Sequence, residues 1–116
     1  MLLLCYPKCG TCQKAIKWLT DNQISIDARN IAVENPSKEE LNTWIKKSGL
    51  PVAKFFNTSG LIYKERNLKE KVKSAPDDEL IGLLSENGML VKRPLLVADD
   101  FVLVGFKEED WKKCLT

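Results

Sequence analysis

Cys9-Gly10-Thr11-Cys12 is the feature of this chain best placed to do chemistry. Two thiols with two residues between them can share a disulfide when they sit one helical turn apart, because that brings their Cα atoms into the ~4.4 to 6.8 Å range an S–S bond requires. The segment joins an apolar run, Met1 to Tyr6, to an amphipathic stretch, so a strand turns into a helix at Cys9. The unpaired N–H groups of the helix start then face the first sulfur, and Lys8 and Lys14 add positive charge. Such surroundings lower a cysteine pKa from about 8.5 into the range of roughly 3.5 to 7.5, which marks Cys9 as the nucleophile and Cys12 as its resolving partner. Gly10 leaves the approach to the sulfur open, and Thr11 stands beside it to support a thiolate or a bound oxyanion.

The four cysteines, at 5, 9, 12 and 114, admit other readings. A zinc site would need all four, yet Cys5 falls in a buried strand and Cys114 on a distant helix. The spacing Cys5-x3-Cys9-x2-Cys12 matches radical-SAM iron-sulfur ligands, but those enzymes need a barrel far larger than 116 residues can build. Cys5 and Cys114 read as ordinary core thiols, since free cysteine is among the most buried residue types. No metal is expected.

Arg93-Pro94 is the second feature. Proline at the start of a strand lacks a ladder donor and can follow a cis bond. If the strand it opens pairs beside the first one, Arg93 stands near the Cys9 sulfur, where its fork can hold an oxyanion or steady a thiolate. The competing reading has Arg93 capping the preceding helical end while Pro94 stiffens a loop. Lys64, Arg66, Lys69, Lys71 and Lys73 form a further basic stretch, read as a solvated helix face rather than a dedicated binding patch.

Composition narrows the classes. The chain is 44% hydrophobic and 29% charged, which suits one soluble α/β or α+β domain spanning 1–116. A net charge of +2 argues against a dedicated nucleic-acid or anionic-membrane binder. Histidine is absent, which excludes Ser-His-Asp and Cys-His catalysis and His-ligated zinc. The apolar start lacks a basic lead, is too short to span a bilayer and meets Pro7, so neither signal peptide nor anchor is expected. Thiols crowded in this way suit the reducing cytoplasm.

Around the motif the pattern reads as strand (1–6), helix (10–22), then a second strand through Ile24, Ile26, Ala28 and Ile31. Strand-helix-strand of this length implies a right-handed parallel crossover. Ser37 and Glu40 make a capping box for a helix with the stripe Leu41, Trp44 and Ile45, stopped by Gly49. Short helices broken at Ser59-Gly60 follow, and then a helix capped by Asp77 and ended by Asn87-Gly88. Leu95 to Ala98 and Phe101 to Val104 read as a hairpin, and 107–115 as a last helix with Trp111, Cys114 and Leu115 facing inward. Trp18 and Trp44 read as core or near-core residues.

Tyr6-Pro7-Lys8-Cys9-Gly10-Thr11-Cys12-Gln13-Lys14-Ala15, Trp18-Leu19, Asn35-Pro36-Ser37, the run Leu90 to Val97 and Val104-Gly105-Phe106 together resemble the ArsC/Spx family of thioredoxin-fold proteins. The resemblance implies a thioredoxin/glutaredoxin-like α/β fold: a four-stranded mixed sheet flanked by helices, a helical insertion over about 37–91 and a cis bond before Pro94. It implies Cys9 as the reactive thiol and an external reductant such as glutaredoxin, glutathione or thioredoxin, with no bound cofactor. Arsenate reductases of the family grip the oxyanion with three arginines. Arg93 matches one; Asn57 and Gly105 stand at the other two positions, with Lys54, Lys64, Arg66 and Lys107 as the basic residues available in their place. Spx-type regulators carry a redox switch matching Cys9 and Cys12 and bind the RNA polymerase α subunit. Lys54 to Gly60 and Tyr63 look most like a third, ArsC-like branch, which implies a thiol-disulfide oxidoreductase, with arsenate reductase and polymerase-binding regulator as the rival readings.

Overall fold

The computed structural model describes all residues, 1–116. β1 (Leu2–Cys5) is the apolar run at the sheet centre, with Leu3 and Leu4 wholly buried. It pairs in parallel with β2 (Asp27–Asn30) and antiparallel with β3 (Leu95–Val97), which pairs antiparallel with β4 (Val102–Val104), giving the order β2-β1-β3-β4. This is the mixed four-stranded sheet expected from the sequence. The second strand is shorter than its alternation suggests: Gln23 takes a left-handed φ of 59° and Ile24 donates its N–H back to Leu19 at 2.9 Å, so these residues close the preceding helix.

Strand alternation divides the interior into two cores. Leu4, Leu95 and Val102 face a large cluster built with the helices between β2 and β3. Leu3, Cys5 and Leu96 face the other way, against Cys12, Ala15 and Leu19 of α1 (Gly10–Asp21) and Trp111 of α6 (Glu108–Leu115). The odd positions of β1 thus put Cys5 on the face that carries Cys12.

Helices between β2 and β3 form the insertion: α2 (Lys38–Ser48), α3 (Leu61–Glu65), α4 (Lys69–Ser74) and α5 (Asp77–Glu86). The capping box of α2 is formed, Ser37 Oγ accepting from Glu40 N–H and the Glu40 carboxylate from Ser37 N–H, both at 3.1 Å. Arg29 grips that carboxylate with two guanidinium nitrogens at 2.8 and 3.0 Å, tying β2 to the start of α2. Asp77 does not cap α5. Pro76 occupies the cap position, its carbonyl accepting from Glu79 and Leu80, and Asp77 is the first helical residue. In α6 the buried stripe runs through Trp111 and half-buried Leu115, four residues on, which leaves Cys114 exposed and corrects its reading as a core thiol. No helix is long and apolar enough to cross a membrane.

Candidate redox site

Cys9 is the N-cap of α1, extended at φ −85° and ψ 120°, and it bends the chain from β1 into the helix. Its N–H donates to Tyr6 at 2.9 Å, and its carbonyl accepts from Gln13 at 3.1 Å. The side chain makes no cap hydrogen bond, so the helix N–H contact expected from the sequence is not formed at this sulfur. Cys9 is half-buried, and a side chain in place of Gly10 would meet nothing within 4 Å.

Stabilising contacts converge one turn further in. Cys12 is 1% exposed, and its sulfur accepts the Tyr6 N–H at 3.4 Å. The Cys5 thiol, at the end of β1, lies in the same buried cluster as that sulfur. The Cys5 thiol first, then the Tyr6 N–H, the Cys9 thiol and the charge of Arg93, outweigh the cost of burial and draw Cys12 down to about 6. Cys5 moves strongly the opposite way: donating to Cys12 and buried, it keeps its proton. The sequence reading expects the favoured thiolate at Cys9; the Tyr6 N–H and the buried Cys5 thiol fall instead beside Cys12. Cys5 is the residue that sequence reasoning missed. Its odd register in β1 was the available signal.

Arg93 lines the same cleft as Cys9, a hollow of about 490 Å³ that also meets Thr11, Asn57 and Gly105. Its guanidinium lies over the Tyr6 ring, 5.5 Å from the centroid, and Nη1 donates to the carbonyls of Met89 and Val91 at 3.3 and 3.4 Å. Both sequence readings thus hold in part: Arg93 caps the helical turn Gly88–Leu90 and also borders the thiol cleft. Its Nε is buried without a hydrogen-bond partner. The Arg93-Pro94 bond is cis, and Pro94 accepts the Gly105 N–H at 2.8 Å.

The far wall is held by backbone bonds. Asn57 donates its N–H to Leu90 at 2.8 Å and Lys92 donates to Phe55 at 2.8 Å, which fix the turn Asn57 to Gly60 across from Cys9. Asn57 and Gly105, the two positions where the resemblance expects arginines, do meet at this cleft. Lys92 and Lys107 supply cationic charge to its walls, whereas Lys8, Lys64 and Arg66 lie outside it. Gly105 has φ +74°, a conformation that a side chain rarely adopts. No group of three or more cysteines or carboxylates is arranged to hold a metal ion.

A parallel βαβ start with a CxxC at its first corner, followed by a helical insertion and a hairpin opened by a cis-proline, defines a thioredoxin-like protein of glutaredoxin type. The model of the ArsC family matches residues 4–114, and the chain belongs to that family. The uncharacterized protein YusI of Bacillus subtilis is 52% identical over 108 residues, 93% of this chain and 92% of YusI. The global transcriptional regulator Spx of Staphylococcus epidermidis is 27% identical over 94% of this chain and 82% of its own length. Among solved structures, an ArsC family related protein from Bacteroides fragilis superposes with a TM-score of 0.94 at 57% identity, covering 97% of this chain and 94% of that one. A Streptococcus mutans protein described as a possible arsenate reductase gives 0.87 at 38% identity, with 96% of both chains covered.

Proposed function

We propose that this chain is a thiol-disulfide oxidoreductase in which Cys9 attacks an oxidised sulfur and Cys12 resolves the mixed disulfide. One observation carries the reading: a half-buried Cys9 lines an open cleft while Cys12, 1% exposed, sits one turn further into the helix with its sulfur accepting the Tyr6 N–H. The Cys12 thiolate takes the proton of Cys9, whose sulfur attacks one sulfur of a substrate disulfide and expels the other as a thiolate. Cys12 returns its proton to that leaving group. It then attacks the Cys9 sulfur, forming the Cys9–Cys12 bond and releasing the second substrate thiolate, so two electrons pass from the dithiol to the substrate. A small thiol or a glutaredoxin- or thioredoxin-like donor restores the dithiol, and the reducing cytoplasm is the compartment where that cycle closes. Arg93 borders the reacting sulfur and supports negative charge there.

The test is a coupled turnover assay with disulfide substrates and a glutathione, glutaredoxin or thioredoxin donor. Turnover lost in Cys9→Ser, with a mixed disulfide accumulating on Cys9 in Cys12→Ser, supports the reading; turnover surviving Cys9→Ser overturns it.

The identity with Spx favours a second reading, a redox-responsive regulator that binds the α subunit of RNA polymerase. Capture of this chain by the C-terminal domain of that subunit, altered by oxidation of the Cys9–Cys12 pair, would select it over the first.

A further inference from the structure

We propose that the free edge of β4 is a binding site for an extended acidic segment of a partner protein, which joins the sheet as a fifth strand. The ladder register leaves the edge unpaired. Ala98 donates to Phe101 at 2.9 Å and Gly105 to Pro94 at 2.8 Å, so in the β3–β4 pairing residues 98 and 101, 96 and 103, and 94 and 105 are the hydrogen-bonded pairs. The N–H and C=O groups of Val102 and Val104 therefore point away from β3. With β4 last in the sheet order, no strand receives them.

Those groups border a groove of about 400 Å³, walled by Leu50 and Lys54 on one side and Trp111 on the other. Lys54, Lys92 and Lys107 line it, none of them in an ion pair, against one carboxylate, Asp110. An incoming strand pairs with Val102 and Val104 through as many as four backbone hydrogen bonds, and alternate side chains carrying carboxylates meet the lysines. A second copy of this chain is disfavoured as the occupant, because its edge would bring the same lysines against these.

Lys92, Val104, Gly105 and Lys107 also line the Cys9 cleft, so a segment seated on β4 runs on toward the thiol. The inference deepens the proposed function by naming its substrate class, a cysteine carried on an extended acidic segment, and to that extent rests on it.

The test is binding to the Cys9→Ser protein, so that affinity is read without thiol chemistry. The probes are a labelled peptide of alternating Glu and Thr, the same peptide N-methylated at alternate residues, and a Lys-Thr counterpart. The Glu-Thr peptide is expected to bind with affinity falling as salt rises, and to protect the Val102 and Val104 amides from hydrogen exchange. N-methylation and the triple variant Lys54→Gln, Lys92→Gln, Lys107→Gln should each weaken it about tenfold or more. Equal binding of the N-methylated or Lys-Thr peptide, no binding at all, or protection elsewhere than Val102 and Val104 overturns the proposal, as does self-association through β4. Failed binding beside intact disulfide turnover in the unaltered protein would sink the edge site alone and leave the oxidoreductase reading standing.

Discussion

Replacing Cys5 with alanine should move the titration of Cys12. The Cys5 thiol is the largest of the contacts that draw Cys12 down to about 6. A hydrogen bond to a charged acceptor is worth roughly 1.5 to 3 kcal/mol, and one pKa unit about 1.36 kcal/mol, so losing it should raise Cys12 by roughly one to two units. The same pair makes stability depend on pH. The folded pKa of Cys12 lies below the unfolded value of about 8.5, so its contribution is complete above that pH and is lost as pH falls through about 6. Cys5 is shifted upward, so above about pH 8.5 the unfolded chain sheds a proton that the folded chain keeps, and stability declines again. The unaltered protein should therefore grow more stable as pH rises from about 6 to 8.5. In Cys5→Ala that rise should shrink to about half or less. The alanine also leaves a small void beside β1, but its cost is the same at every pH and does not alter the slope. Denaturant unfolding across this pH range, with the Cys12 Cβ chemical shift followed by NMR, reads both quantities. An unmoved Cys12 midpoint in Cys5→Ala, or a flat stability profile in the unaltered protein, would refute the argument.

Arsenate turnover should be weak: Arg93 borders the cleft, but Asn57 and Gly105 offer no guanidinium, and two lost charged hydrogen bonds correspond to a fall of about a hundredfold or more. Robust arsenate reduction abolished by both Cys9→Ser and Arg93→Ala would place the protein among the reductases instead. Gly105→Ala should cost about 1 to 2 kcal/mol in thermal or denaturant unfolding, because residue 105 sits at φ +74°. Gly88→Ala should be far more damaging, about 3 kcal/mol or more, since a Cβ there would lie 1.9 Å from the Ile31 carbonyl oxygen. Ser37→Ala, which opens the capping box of α2, should cost about 1 kcal/mol in the same measurement.

The parts of the fold legible in the sequence were those set by local signals. The apolar run of β1, the Ser37–Glu40 box and the stop at Gly49 each carry their own chemistry, and all three form as expected. The extent of the second strand was not legible, because the backward bond from Ile24 to Leu19 depends on the left-handed turn at Gln23, which alternation does not encode. Cys114 and Leu115 were both expected inward, yet only a short terminal helix resting on Trp111 decides which of them is covered. At the site, the CxxC and Arg93 were visible as motifs, and the structure brings Cys9 and Arg93 to one cleft. The effect of Cys5 was hidden, since it arises across two elements: the inward face of β1 against the first turn of α1. Lys92 reaches the cleft for a similar reason, through the bond that its N–H makes to Phe55.

The proposed oxidoreductase chemistry stands or falls on which sulfur Cys9 joins. Peroxide treatment of the reduced protein, followed by proteolysis and mass mapping without reductant, tests it directly. The account predicts a Cys9–Cys12 disulfide that mild thiols reverse. Cys9 found only as sulfenic acid, or paired with Cys5 or Cys114, would contradict it.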